Sequence, residues 1–400
     1  MEQKPGYLLG NPAGEKIWSQ SLIILAVAVF LFSLGMGLQM GLNTNYIQEL
    51  GLSDSQVLLQ AGIREIPGLF LVFIAALLTR MPLAWRSVAA MAVMGAGYAL
   101  YSVIHSWTAL VAMSLVASIG LHLWLPLNNA VALSLTKKEN SGRVLGTLSS
   151  IGALASMAGI GLIIATSRWV SLRVLVGIAG GLIVIAAVVL SRLPRNIGET
   201  KKAQRRLLFR RRYWLYYVLL VFEGSRTQVF QAFNTMVLVY NYGLSAFQIS
   251  ILLLASGLVN FLLARRLGRM LDKVGERITL SLGYIALALC FVGYATINNV
   301  WLLGLMVIFI NLLVTLSMGL STYVNRIAPP EELTPTLNTG VSFNHITSAG
   351  MSVIAGLLLP VVGYKTECWA AVIIIVASVP FALAIRTQGL PELLESISQE

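Results

Sequence analysis

The stretch Gly51-Leu52-Ser53-Asp54-Ser55-Gln56-Val57 returns as Gly243-Leu244-Ser245-Ala246-Phe247-Gln248-Ile249, an offset of 192 residues in a chain of 400. Its Gly-Leu-Ser-x-x-Gln core carries most of the weight, because scattered identities are cheap in apolar sequence. The same offset aligns Leu145, Thr147 and Ser150 with Leu337, Thr339 and Ser342. The chain therefore reads as two halves built on one plan.

Composition sets the solvent of both halves. Hydrophobic residues make up 57% of the chain and charged ones only 11%, with a mean hydropathy of +0.80; a soluble domain is about 25% charged. A bilayer core about 30 Å thick takes roughly 20 apolar residues per helix. Runs of that kind predict helices near 18–46, 55–79, 87–104, 109–135, 143–166 and 173–191. A second set follows near 213–240, 248–268, 278–295, 301–325, 337–360 and 369–386. The expected fold class is an all-α membrane protein with 12 transmembrane helices in two six-helix bundles. Residues 1–191 form one bundle and 213–400, with a short cytoplasmic tail, the other; a basic loop, 192–212, joins them. Both copies of the repeated stretch fall at the outer end of a half's first helix. The first apolar run outlasts a secretory h-region and lacks a small-residue cleavage site, so it reads as a retained helix.

Charge sets the orientation. With the N-terminus inside, cytoplasmic segments carry 23 Lys and Arg, nine of them between Arg192 and Arg212, against 3 on the other face. The positive-inside rule then puts both termini and the central loop in the cytoplasm of a plasma (inner) membrane protein. The net charge of +12 reads as topogenic, so no nucleic-acid partner is expected. The expected partners are membrane lipids and a small-molecule solute, for a monomeric chain. Cys290 and Cys368 offer neither a disulfide framework nor a metal-ligand spacing, and no metal is expected.

Between the eighth and ninth expected helices stands Gly268-Arg269-Met270-Leu271-Asp272-Lys273-Val274-Gly275-Glu276-Arg277. This run resembles the loop signature of the major facilitator superfamily: Gly, three residues, Asp, a basic residue, one residue, Gly, one residue, basic. The resemblance implies a twelve-helix carrier with its substrate site near the midplane between two halves. It also implies that Gly268, Asp272, Lys273, Gly275 and Arg277 form a conformational latch. The partner would be the start of the fifth helix, near Arg143 and Gly146, holding the cytoplasmic side shut in one state. The equivalent first-half segment, 77–86, lacks the signature and has Arg80 where Asp272 stands. The fifth helix has glycines between Gly152 and Gly161 but not the proline usual in the superfamily's drug-proton antiporters.

Ionisable side chains inside a membrane are expensive, which makes each a candidate site. Glu223 and Arg226 lie on one face of the seventh helix at i, i+3 spacing, in the helix that lines the cavity in the superfamily. Glu223 is the expected proton-coupling acid, with Arg226 its releasable partner; a static ion pair that keeps the helix insertable is the other reading. Arg64 and Glu65 are sequence neighbours about 100° apart on the second helix, so each needs a partner elsewhere. His122 and Asn128 on the fourth helix, Asn344 and His345 on the eleventh, Gln39 and Asn43 on the first, Asn311 on the tenth, and Gln228 and Gln231 on the seventh complete the expected substrate cavity. Trp107, Trp169 and Trp301 fall at outer boundaries as interface anchors.

The sequence has no Walker-type phosphate loop, His-Glu-x-x-His or dinucleotide fingerprint. The expectation is a secondary active transporter, not an enzyme, using no cofactor but an ion gradient, of protons, to move a small organic solute. The rivals are a non-transporting membrane sensor that kept the fold, a drug or metabolite efflux antiporter, and a membrane enzyme acting on lipids.

Overall fold

The computed structural model describes residues 18–197 and 209–386, apart from 72, 73, 75, 76, 79, 138 and 139. Much of the basic loop (198–208), the C-terminal tail (387–400) and the side chain of Gln228 lie outside the described residues. Among the described residues every regular element is helical.

The first half holds α1 (Gln20–Glu49), α2 (Asp54–Ile63), α3 (Ile66–Leu69), α4 (Leu83–Leu100), α5 (Trp107–Ser134), α6 (Ser141–Thr166) and α7 (Leu172–Leu190). The second holds α8 (Trp214–Tyr242), α9 (Ala246–Val274), α10 (Glu276–Thr296), α11 (Val300–Val314), α12 (Met318–Ile327) and α13 (Pro330–Leu383). Helices α2 and α3 make up the second span, parted by the turn Arg64-Glu65. A 3-10 turn over Thr315–Ser317 joins α11 to α12 in the tenth. Within α13, Gly363 at φ 75° separates the eleventh span from the twelfth. The described residues thus fall into twelve spans in two bundles.

The repeated stretch is a repeated piece of geometry. Gly51 and Gly243 take left-handed conformations, φ 75° and 67°, that end α1 and α8. Ser53 and Ser245 then cap the next helices, each N–H donating to the side-chain oxygen of Gln56 or Gln248 at 2.9 Å. Both are capping boxes, which satisfy amide groups that a helix start leaves open.

Small residues let the spans close on one another. Gly37 and Gly159 face backbone atoms of the facing helix across the α1–α6 contact, where a Cβ has no room. Gly62 of α2 and Gly356 of α13 do the same between the halves: a Cβ at either would stand 2.9 Å from backbone atoms of the other helix.

Three boundaries differ from expectation. Helix α9 runs on to Val274, so most of the Gly268–Arg277 signature is helical, and the turn falls on Gly275 alone, at φ 85°. The eleventh and twelfth spans meet at a single left-handed glycine rather than across an eight-residue loop. The second span breaks at its two charged residues. Among the described residues, nine helices are long and apolar enough to cross a membrane on their own, the last of them containing two spans. The seventh span, which carries the Glu223–Arg226 pair, is not among the nine; the second, which carries Arg64-Glu65, includes residues outside those described. Trp169 and Trp301, each 82% exposed, stand at helix ends as interface anchors should.

Gly243→Ala has free space around its Cβ, so its cost is backbone alone, about 1–2 kcal/mol for a left-handed residue. It should lower the unfolding temperature in detergent. Gly161→Ala, equally unobstructed but helical, should leave that temperature unchanged or raise it.

Candidate functional site

A cavity of about 380 Å³ lies between the two halves. One wall comes from the first half: Gln39 and Asn43 of α1, Gln60 of α2, Arg64 and Glu65 in the turn after it, and His122 of α5. The facing wall is Gln231 and Thr235 of α8 and His345 of α13. Side chains four apart share a helix face, which lines up Gln39 with Asn43, Gln60 with Arg64, and Gln231 with Thr235. The amides form a relay: Gln39 Nε2 donates to Asn43 Oδ1 at 3.3 Å and Asn43 Nδ2 to Gln60 Oε1 at 3.4 Å. Gln60 Nε2 in turn reaches Ser114 Oγ at 2.9 Å and Tyr101 Oη at 3.2 Å. Arg64 Nε and Gln39 Oε1 are buried and without hydrogen-bond partners.

Glu65, which is buried, joins the halves. Its Oε2 lies 2.8 Å from His345 Nδ1 and 3.7 Å from His122 Nε2. The two imidazoles meet edge to face, with ring centres 5.2 Å apart. Gly68, a turn further along the second span, makes room for them: a Cβ there would stand 2.6 Å from His122 Nε2.

Glu223 and Arg226 are both buried, and Arg226 Nε donates to Glu223 Oε2 at 3.0 Å, with Nη2 bonded to the same oxygen. The guanidinium stacks 3.9 Å above the Tyr284 ring of α10 and reaches Ser378 Oγ of α13 at 3.5 Å. The pair therefore braces three helices of one half and stands outside the central cavity. Glu223 instead lines a separate pocket with Tyr216 and Asn344. Seven of the eleven expected cavity residues come together: Gln39, Asn43, Arg64, Glu65, His122, Gln231 and His345. Asn344 lies in the neighbouring pocket. The Asn311 side chain is turned to its own helix, Nδ2 donating to Val307 O at 3.0 Å, while its backbone carbonyl accepts from Asn260 Nδ2 at 3.3 Å. Asn128 faces elsewhere on α5. Gln60, Gly68 and Thr235 are additions; the four-residue spacing to Arg64 and Gln231 marks Gln60 and Thr235 in the sequence.

At the end bearing Gly51 and Gly243 the halves are hydrogen-bonded together. Asn45 Nδ2 donates to Leu244 O at 2.8 Å, Tyr240 Oη to Leu52 O at 2.8 Å, and the Thr44 and Thr235 hydroxyls lie 2.9 Å apart. At the opposite end Asp272 and Arg143 are exposed and, among the described residues, neither forms an ion pair. The buried carboxylate of the signature is Glu276 at the start of α10, paired at 2.7 Å with Arg326 at the end of α12.

A polar chamber walled by both halves of an internal repeat is the arrangement of a secondary transporter. A family profile described as Major Facilitator Superfamily matches residues 25–334, and the chain belongs to that superfamily. No curated protein sequence matches it. Among solved structures it is similar to the nucleoside transporter NupG, with TM-score 0.73 and 15% identity over 92% of this chain and 98% of that one. A bacterial homologue of the human lysosomal transporter Spinster, inward-facing and unoccupied, gives 0.71 and 13% over 92% and 97%. A D-xylose-proton symporter gives 0.69 and 13% over 91% and 97%.

Where the basic loop enters α8, Glu332 of α13 accepts hydrogen bonds from Arg212 and, at 2.8 Å, from Tyr213 Oη, and lies 3.2 Å from Arg210. Partial burial pushes the Glu332 carboxyl up, but the bonds from Arg212 and Tyr213 outweigh it and hold the group below its usual range. Burial and the carboxylate push Tyr213 up to about 12. A depressed carboxyl stabilises the fold above its unfolded pKa, about 4.3, and the contribution is lost as pH falls through the lower folded value. Thermal unfolding should therefore separate wild type from Glu332→Gln at pH 6, with the gap closing below about pH 4.

Proposed function

We propose that this protein carries a small, polar, hydrogen-bonding organic solute across the plasma (inner) membrane by alternating access, driven by a proton gradient. The observation behind the reading is the central cavity, whose walls come from both halves and are lined by the polar side chains of Gln39, Asn43, Gln60, Arg64 and Gln231. A few polar groups in a largely enclosed wall orient and hold a solute that hydrogen-bonds to them. A chamber of about 380 Å³ is within the usual range for small-molecule sites. The proteins of like fold named for a nucleoside and for D-xylose handle solutes of that scale.

Because both halves contact the solute, rocking one against the other exposes it to alternate sides. On the charge-based orientation the hydrogen-bonded end is outside, so the present conformation is inward-facing, with Asp272 released from Arg143. Glu223 is the proposed coupling acid. Its carboxylate holds Arg226, and Arg226 with Tyr284 and Ser378 ties α8 to α10 and α13. Protonation would free that brace and change the shape of one half.

Reconstituted liposomes under an imposed gradient, challenged with nucleosides, sugars, amino acids, organic anions and cationic drugs, test the reading. A solute-dependent proton signal is expected, its sign giving symport or antiport. Silence across the panel in folded protein would favour a uniporter, another coupling ion or a sensor. Glu223→Gln should abolish the pH dependence of transport in folded protein; an unchanged pH profile would remove Glu223 from the coupling path. Arg226→Ala leaves a buried carboxylate unpaired and should cost about 3–5 kcal/mol of stability, read as a lowered unfolding temperature. Gln231→Ala and Asn43→Ala should each raise KM by about three- to tenfold, the value of one net hydrogen bond.

A further inference from the structure

His122 has a fixed tautomer. The Ser118 hydroxyl donates its proton to Arg64 O, so its oxygen meets His122 Nδ1, 3.0 Å away, as an acceptor. The Ser118 carbonyl oxygen, also an acceptor, lies 2.9 Å from the same nitrogen. Nδ1 therefore carries the hydrogen, and in the neutral ring Nε2 presents its lone pair to the Glu65 carboxylate 3.7 Å away. Two electron-rich atoms facing each other in a buried site call for a cation between them. Anchoring of the distal ring nitrogen by a backbone carbonyl is also how proteins orient a metal-binding histidine.

We propose that Glu65, His122 and His345 bind a divalent first-row transition-metal ion that bridges the two halves of the transporter. Their ligand atoms all lie within 4.8 Å of one another. Metal–ligand bonds of about 2.0–2.2 Å put tetrahedral ligand atoms about 3.4 Å apart, and the observed 2.8 and 3.7 Å separations from Glu65 Oε2 bracket that value. Two imidazoles and one carboxylate suit zinc, cobalt or nickel rather than magnesium or calcium. All three residues line the cavity, so the fourth position opens onto it. Gly68 keeps the space free, since its Cβ would press on His122 Nε2. Arg64, the nearest like charge, faces the Tyr98 hydroxyl. Because His345 belongs to α13 and the other two ligands to the first half, the ion would hold the halves in the present arrangement.

Cobalt(II) titrated into the purified full-length protein in detergent reports coordination directly. The expected result is one equivalent of bound ion with intensified visible absorption of a low-coordinate site. Affinity should fall by at least about tenfold in His345→Gln, whose side chain is partly exposed and least tied to packing, and in His122→Gln and Glu65→Gln. Gly68→Ala should weaken binding while removing no ligand. Folded wild-type protein showing only the pale spectrum of hydrated cobalt would overturn the proposal and leave a proton as the cation. A spectrum that persists in His345→Gln and His122→Gln would overturn it too, as a surface site. The absorbance needs no transport, so a failed transport assay leaves this result standing, and transport without a cobalt spectrum sinks the metal site alone.

Discussion

An ionised side chain in hydrocarbon must find a partner or water, and in this protein that requirement decides where the helices break and which of them meet. Arg64 turns its guanidinium to the Tyr98 hydroxyl and meets the Glu65 carboxylate only through space. The carboxylate is reached instead by one imidazole from its own half and one from the other. The second span turns at this point, and Gly62, Gly68 and Gly356 thin the adjoining helices so that the halves come close enough for the contact. The seventh span solves the same problem internally, with the acid and base one turn apart and an aromatic face beneath the guanidinium. One charged pair thus faces the partner bundle while the other stiffens its own.

The halves share a plan but not a chemistry. The capping boxes at Ser53 and Ser245 are copies, yet the buried pair Glu276–Arg326 sits in the second half only, and Arg80 stands at the first-half position of Asp272. The two halves therefore differ in charge chemistry at the basic end.

Local features were legible in the sequence. A repeated Gly-Leu-Ser-x-x-Gln needs only its own residues to form a turn and a cap, and a charge in an apolar run is conspicuous wherever it points. Partners were less so. Glu65 and His345 are 280 residues apart, and nothing near either residue specifies the other. The signature segment read as a loop because it is polar, although it continues a helix past the membrane and turns at one glycine; this hid Glu276, whose burial comes from the end of α12. Asn311 and Asn344 looked like cavity residues because polarity in a span is visible, whereas the face that a span turns inward depends on its neighbours.

The seventh span also bears on how the chain is made. A helix enters the bilayer from the translocon on its own when its apolar content outweighs its polar residues, and among the described residues nine helices meet the length and composition for that. The seventh, Trp214–Tyr242, is not one of them. The seventh emerges straight after the basic loop, with no membrane helix of its own half before it, and its brace partners Tyr284 and Ser378 are synthesised later. Biogenesis of the second half therefore includes an interval in which Glu223 and Arg226 have only each other, and their spacing of one helical turn neutralises the span before the rest of the bundle exists.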